Sequence, residues 1–596
     1  MEGCQKQTIN MKNNIYNNFA HLWAHIEVKH KNKLYLLLIF MFLTSILEVV
    51  SIGAVVPFLA ALTAPQGIFD HHLAQPLIVF FGVTNPQQLL LFLTISFSFF
   101  AVMSGLVRLA LLWIQTRVSH AIGADLAKSM YRRTLFQPYE THISQNSSKV
   151  ISSIAVKSSQ IVTNILMPAL IVISSLMILI VILLMLIIIN PIVAVSTFVL
   201  FGLFYLSIVK VVKNKLLANG EVISDRQNEV IKALQEGLGG IRDVLLDGTQ
   251  AIYTKTFHKS DIPLRKAQGD NQIIGSSPRF IIEAIVIVLF AFMSLFLVNK
   301  SGGIQFAIPL LGALALGAQR MLPLIQQIFH SWSAIIGSQA VLRDTLEMLN
   351  QEIYQNKTLH KDMEITFEKE ISLNNVYYRY NTGPWILKNL NLNIEKGSCV
   401  GFIGATASGK STLLDILMSL LLPKKGTLNV DGKTLTQDNN HLWQSYISHV
   451  PQQVFLSDST IAENIAFGIP LKDIDFDRVK DAAKRAKVYD EINALVDGFR
   501  TITGENGIGL SGGQRQRIGI ARALYKKSAV IILDEATNAL DDNTEREVME
   551  IIHNMSNKIT ILIIAHRLTT LKKCDVIYEL KKGVIVKSGT YSEIVN

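Results

Sequence analysis

The 596-residue chain is 49% hydrophobic and only 17% charged, with a net charge of +10 and a mean hydropathy of +0.33. A soluble domain carries about 25% charged residues, so this composition excludes a disordered chain, a coiled coil and a disulfide-stapled secreted domain. It leaves a membrane protein, or a chain that is part membrane and part soluble.

Six apolar stretches come first, at about 34–63, 88–116, 161–189, 192–212, 280–299 and 304–326. Each is near or above the ~20 residues that a bilayer requires. The first starts too late and runs too long for a cleavable signal peptide. Basic residues alternate between the connections. Lys29, Lys31 and Lys33 precede the first stretch, Arg117, Lys128, Arg132 and Arg133 follow the second, and Lys213, Lys215, Arg226 and Arg242 follow the fourth. Ala64 to Gln87 holds none. The positive-inside rule then places both termini and two long loops in the cytoplasm. This distribution accounts for the net charge without nucleic acid. Cys4, Cys399 and Cys574 all fall on that cytoplasmic side, where thiols stay reduced.

The two long loops carry helical periodicity, as in Val230, Ile231, Leu234, Leu238 and Ile241. They read as helical extensions of the spans. Between the first two spans, Ile68 to Gly82 has the composition of a short external amphipathic helix or an ordered loop. Glu48 lies ~21 Å from the inner end of the first span, and a polar neighbour is the expected partner. Arg108 lies ~30 Å along the second span and Arg320 ~24 Å into the sixth, while Arg279 opens the fifth. All three arginines fall near the inner-leaflet level. They either snorkel to the inner interface or form the candidate contacts for the anionic head group of a lipid substrate, since Arg suits phosphate and intramembrane charge faces a cavity.

Composition shifts near Leu349, giving a membrane domain over 1–349 and a nucleotide domain over 350–596. In the second part short apolar runs alternate with helical patterns, as in an α/β domain. Cys399 to Ile403 reads as a buried strand. Gly404, Ala405, Thr406, Ala407, Ser408, Gly409, Lys410, Ser411 and Thr412 follow, leading into an apolar-periodic helix. Strand, Gly-rich loop and helix N-terminus together cradle phosphates, with Lys410 on the terminal phosphates and Ser411 on magnesium. Ala529 to Leu533 reads as a second buried strand, ending in Asp534 and Glu535. Asp534 suits a magnesium water shell, and Glu535 suits a base for an attacking water.

Leu510-Ser511-Gly512-Gly513-Gln514 precedes another helix. With this string the chain resembles the ATP-binding cassette (ABC) transporters. The resemblance implies that two nucleotide domains pair head to tail, each ATP lying between one phosphate loop and the partner's Ser511 to Gln514 loop. It also implies roles for Tyr380 (stacking on adenine), Gln452 (sensing magnesium and the membrane domain), Glu505 (contacting the membrane helices), Asp541 (linking the two sites) and His566 (touching the γ-phosphate). Two positions depart from the family pattern: Ala407 stands where glycine is usual, and Asn538 where serine is common.

Six spans followed by one nucleotide domain resembles an ABC exporter half-transporter. The implied fold is an all-α membrane domain followed by an α/β P-loop domain. The implied assembly is a homodimer in a bacterial inner membrane, using ATP and Mg2+. The loop tips near Pro138–Ser148 and Gly239–Asp247 look like the family's docking helices. Ser45 to Glu48, Pro278 to Glu283 and Arg320 to Pro323 are similar to bacterial flippases of lipid-linked oligosaccharides. The expected activity is ATP-driven export of such a glycolipid; the alternative is export of drugs or other lipids. A non-transporting regulator is disfavoured by the retained Glu535 and His566. An importer is disfavoured because both domains share one chain.

Overall fold

The computed structural model describes residues 15–54, 57–58, 61–62, 66, 69, 84–189, 191–298, 303–353, 365–537, 541–553, 559–565 and 567–595. The candidate amphipathic segment at 68–82 lies outside these, apart from Phe69, as do Asn538 and His566. The chain divides into two compact units. One comprises Met1–Gln137 and Gln145–Ile353, the other Pro138–Ser144 and Tyr354–Asn596.

Among the described residues the regular structure of the first unit is all helix. Helices run through the six apolar stretches, the first as far as Gly53 and the third with π-helical turns before Met167: Val28–Gly53, Pro86–Leu135, Met167–Ile189, Pro191–Gly239, Pro278–Val298 and Gly303–Gly337. Among the described residues, Val28–Ser51, Pro86–Leu135 and Ser147–Met185 are long and apolar enough to cross a membrane. Proline opens three of the six, at Pro86, Pro191 and Pro278, where its missing N–H costs nothing. The helix Pro86–Leu135 has 50 residues and is ~75 Å long, more than twice the bilayer core. The apolar stretch and the basic loop after it are therefore one rod.

The rods are fastened by pairs distant in sequence. Lys157 is fully buried, with Nζ donating to Asp344 Oδ2 at 2.5 Å and to Ser224 Oγ at 2.9 Å. Arg343 makes a two-pronged bridge to Glu221, both contacts at 2.8 Å. His30 and Lys29 both meet Asp125, at 2.8 and 2.9 Å. Close approach needs small residues. A Cβ on Gly220 would sit 2.6 Å from the Gly337 carbonyl, and one on Gly123 would sit 2.1 Å from Val162 Cγ2. That valine opens one of two π-helical stretches, Ser152–Lys157 and Val162–Leu166, within the third membrane rod.

The second unit holds two sheets. β1 (Glu370–Tyr378), β2 (Leu387–Glu395), β4 (Lys425–Val430) and β5 (Lys433–Thr434) form an antiparallel sheet ordered β2-β1-β4-β5. β3 (Cys399–Ile403), β6 (Ile447–Val450), β7 (Val530–Asp534), β8 (Thr560–Ile564), β9 (Val576–Lys581) and β10 (Val584–Gly589) form the second, ordered β10-β9-β3-β8-β7-β6. Its strands from β9 to β6 run parallel. Such strands bury both faces, so they read as unbroken apolar runs. Val400, Phe402, Ile532 and Leu562 pack toward the antiparallel sheet. Cys399, Ile531, Leu533 and Ile563 pack toward the helices on the opposite face.

Candidate functional site

The sheet order decides where chemistry gathers. β3 and β7 run parallel and are separated only by β8, so their C-terminal ends lie ~10 Å apart. Ligands of open parallel sheets bind beyond those ends. The Gly-rich loop leaves β3 there, and Asp534 and Glu535 lie at the end of β7. β8 ends between them at Ile564, two residues before His566.

The loop is shaped by backbone that only small residues tolerate. Gly404 has φ +149° and Gly409 φ +104°. A Cβ on Gly404 would fall 2.2 Å from the Leu580 carbonyl, so no other residue fits. Ala405, Thr406 and Ala407 form the exposed rim, while Ser408, Gly409, Lys410 and Thr412 are buried beneath it. Ala407 sits in the left-handed region at φ +62°. That conformation costs an L-residue about 1–2 kcal/mol. The position therefore retains the conformation that glycine would adopt freely.

Lys410 heads the helix Lys410–Leu417, and its Nζ donates to the carbonyls of Gly404 at 2.7 Å and Ala405 at 3.1 Å. Burial lowers its pKa, and the carboxylates of Glu535 and Asp534 act in the opposite direction. The ammonium lies within the rim, poised for an anion. Ser411 is exposed at the same helix start. Trp443 anchors the far end by donating from Nε1 to the Leu417 carbonyl at 2.8 Å.

Glu535 is also left-handed, at φ +51°. Its N–H donates to the Ile564 carbonyl at 3.0 Å, and its carboxylate accepts from Gln452 Nε2 at 2.6 Å. A strained residue held by defined partners at a strand end is a mark of a functional position. Ser411, Asp534 and the Gln452 carbonyl supply oxygen donors only, which fits a hard cation such as Mg2+. The rim of N–H groups with Lys410 fits polyphosphate.

The remaining sequence candidates fall as follows. Tyr380 is half-buried just beyond β1, edge-on to Tyr378 with ring centroids 5.1 Å apart. Ser511 caps the helix Gly512–Lys526 through a reciprocal box with Gln514: Gln514 N–H donates to Ser511 Oγ at 3.2 Å, and Ser511 N–H to Gln514 Oε1 at 2.8 Å. Ser511 and Gly512 are exposed and Gly513 is half-exposed. Asp541 caps the helix Asp542–His553 by accepting the Thr544 N–H at 3.0 Å, and this hydrogen bond lowers its pKa. Glu505 is exposed on a short turn.

Two residues escape the sequence motifs. Gln516 is buried in the Gly512–Lys526 helix and donates to the Glu535 carbonyl at 3.2 Å, tying that helix to the strand-end acid. Asp415 lies one turn behind Ser411, and burial pushes its carboxyl up to about 6, with the Asp534 carboxylate adding to the effect. The segment Pro138–Ser144 groups with this unit. There Glu140 pairs with Lys424 at 2.8 Å, and the Tyr139 hydroxyl pKa is raised by burial and by Asp415.

The helical unit has its own cavity of about 790 Å³. Arg108, Arg279, Gln115, Ser175, Gln327 and His330 line it together with apolar side chains. Two of the three arginines expected from sequence thus share one space, while the side chain of Arg320 lies outside the described residues. Neither is an isolated cation. Arg108 Nη1 contacts buried Glu48 at 3.4 Å, and Ser104 Oγ donates to the same carboxylate. Arg279 Nε contacts Glu283 at 2.7 Å. Glu48 therefore has polar partners, and the cavity is less basic than the sequence alone suggests.

Two family models match the chain, one described as "ABC transporter" over residues 387–538 and one as "ABC transporter transmembrane region" over residues 34–314. An ATP-dependent lipid A-core flippase of Saccharophagus degradans is 39% identical over 226 residues, covering 38% of each chain. One from Alkalilimnicola ehrlichii is 31% identical over 381 residues, covering 62% of each. The alpha-hemolysin translocation ATP-binding protein HlyB of Proteus vulgaris is 37% identical over 284 residues, covering 47% of this chain and 39% of that one. The chain thus matches less than two thirds of the length of each of these relatives. A bacterial Atm1-family ABC exporter solved with ATP bound superposes with a TM-score of 0.78 at 20% identity, over 95% of this chain and 96% of that one. That likeness concerns the fold.

Proposed function

The chain belongs to the ABC transporter family in its exporter layout, a membrane region followed by a nucleotide-binding domain, and from that premise we propose that it is an ATP-driven flippase for a lipid-linked oligosaccharide or similar glycolipid. The observation that carries this reading is the pairing of two sites on one chain. One is a phosphate loop beside the strand-end acids Asp534 and Glu535. The other is an arginine-bearing, partly apolar cavity among membrane helices.

In this reading Lys410 and the loop N–H groups from Gly404 to Thr412 hold the phosphates of ATP, and Tyr380 stacks on its base. Ser411, Gln452 and Asp534 hold Mg2+, which neutralises phosphate charge when bound. Glu535 accepts the proton of the attacking water, while Gln452 orients its carboxylate. His566 and the partner copy's signature loop complete the site. Ser511, Gly512, Gly513 and Gln514 present small exposed residues and a capped helix start, as a surface that receives phosphate from a second copy requires.

A homodimer follows from that incompleteness, and the second loop tip supports it. On the short helix Ile241–Leu246, Ile241, Leu245 and Leu246 are all exposed. A second copy would cover them. In this reading the protein lies in a bacterial inner membrane with both termini and the nucleotide domain cytoplasmic, as the distribution of basic residues suggests. Closing of the nucleotide dimer on ATP turns the cavity outward by rigid-body motion of the long rods, and hydrolysis resets it.

Within the cavity a phosphate-bearing head group would take over guanidinium hydrogen bonds from Glu48 and Glu283, since Arg binds phosphate through two prongs. A second reading, export of drugs or other lipids, is favoured by the apolar share of the lining, including Leu109, Leu112 and Phe280. Reconstituted protein separates the two. ATPase should rise with a polyprenyl-pyrophosphate oligosaccharide, the glycan should reach the opposite leaflet, and Glu535→Gln should do neither. ATPase without stimulation or transfer would move the cargo to another lipid or a drug.

A further inference from the structure

Next to the arginine cavity lies a smaller chamber of about 300 Å³, and the two share Gly275 and His330. Its wall is built mainly from neutral hydrogen-bonding side chains: Gln160, Asn164, Gln268, Asn271, Gln272 and Ser333. Among the described residues no Asp, Glu, Lys or Arg lines it. Three helical stretches contribute. Gln268, Asn271 and Gln272 come from Gln250–Ser276, and Ser333 from Gly303–Gly337. Gln160 and Asn164 come from the stretch where α and π turns alternate, Ser158–Ile161 and Val162–Leu166.

Such a wall is selective. An anion would find no Lys or Arg, only the His330 ring at the shared edge, and an apolar group would leave the amides without partners. An amide side chain both donates and accepts, so a set of them suits a guest that also does both at many points, such as a sugar. Asn271 accepts from Asn219 at 2.8 Å, but Gln160 Oε1 and Ser333 Oγ are buried without a hydrogen-bond partner. These two atoms are sealed within the wall rather than presented to the chamber, so a guest would meet the other lining amides.

The order along the chain is informative. Ser277 keeps helical backbone between Gln250–Ser276 and Pro278–Val298. Gln272 and Gln268 therefore lie ~10 and ~16 Å before Arg279 at the helical rise, on the side of the cytoplasmic extension. Membrane-embedded apolar lining, arginine and amides follow one another in the sequence of tail, anion and neutral head.

We propose that the amide chamber is a subsite for the neutral, hydroxyl-rich head of the cargo, a glycan, while its anionic linkage lies against Arg108 and Arg279. This rests on the glycolipid reading above and assigns the glycan to named residues.

The test measures binding to full-length protein in nanodiscs. The probes are a polyprenyl pyrophosphate with and without a short neutral oligosaccharide, applied to wild type, Gln268→Leu and Gln272→Leu. Wild type should bind the glycosylated lipid about tenfold tighter than the bare one. Each variant should lose about fivefold for the glycosylated lipid, the worth of one neutral hydrogen bond, and nothing for the bare one. Equal wild-type affinity for both lipids overturns the chamber and leaves an anionic lipid as cargo. Equal weakening of both lipids by variants that melt as wild type also overturns it. A variant that melts early is set aside, and the wild-type comparison decides. Binding of neither lipid overturns the glycolipid reading and the chamber together.

Discussion

The two units hold their polar groups in different ways. In the nucleotide unit most groups at the candidate site are placed by residues close in sequence: Lys410 on its own loop carbonyls, Ser511 and Gln514 on each other, Asp541 on Thr544, with Glu535, held by Gln452 and Ile564, as the exception. In the helical unit most are placed by side chains far away in sequence, Lys157 by Ser224 and Asp344, Arg108 by Glu48, Ser175 by Gln327, while Arg279 is held one turn away by Glu283. A site of the first kind is carried by a short string of residues and can be altered without unsettling the fold. A site of the second kind exists only once the rods have packed, so its polar groups also fasten the structure.

Single substitutions can break that contrast. The largest effect expected is Glu535→Gln, which should cut ATPase about 100- to 10,000-fold, as loss of a general base does, while the melting temperature stays near wild type. A large drop in melting would place Glu535 with the fasteners instead. Next comes Lys157→Met, which leaves Asp344 buried without its cation. It should cost about 3–5 kcal/mol in unfolding of the helical unit, and Lys157→Met with Asp344→Leu should recover most of it. A single variant that unfolds like wild type would show that the rods do not depend on the pair.

Asp415 sharpens the comparison, since it is a half-buried carboxyl group in the nucleotide unit. Its carboxyl titrates at about 6 in the folded chain against 3.8 ordinarily. The folded state therefore holds this proton more tightly, and stability falls as pH rises from 3.8 to about 6. Asp415→Asn should remove that fall and add about 1–2 kcal/mol at pH 7, after allowance for its partial exposure. A pH–stability curve unchanged by the substitution would remove Asp415 as the cause. The smallest effect belongs to Ala407→Gly. It should relieve the left-handed strain, with a net gain of about 0.5 kcal/mol after the extra freedom of glycine in the unfolded chain. A loss of stability instead would mean that the alanine methyl has contacts worth more than its strain.

The same contrast explains what was legible in the sequence. Strand, Gly-rich loop and helix are consecutive between Cys399 and Leu417, and local spacing carries them. The acids Asp534 and Glu535 announce themselves because an apolar run stops at them. That Glu48 has a polar partner was readable from its depth, but its identity, Arg108 with Ser104, was not, since it depends on how Val28–Gly53 packs on Pro86–Leu135. That pairing also moderates a cavity that the sequence presented as openly basic. Asp415 reads as a solvated residue on an amphipathic helix, and only packing reveals its burial. Gln516 stands in the periodic pattern of its helix, and nothing local says that it reaches Glu535. The amide chamber draws on residues from Gln160 to Val341, so no window of sequence displays it.

The two π-helical stretches of the third membrane rod give it the character of a geared shaft. A π turn takes up one residue more than an α turn, and one residue is about 100° of rotation. Tightening Val162–Leu166 into an α turn would swing everything on its N-terminal side, Gln160 and Lys157 included, by that angle against the portion from Met167 onward. Two teeth hold the present setting: Lys157 seated on Ser224 and Asp344, and Val162 pressed into the gap that Gly123 leaves in the neighbouring rod. A slip of one tooth would turn the Gln160 amide away from its chamber while the membrane portion stayed where it was.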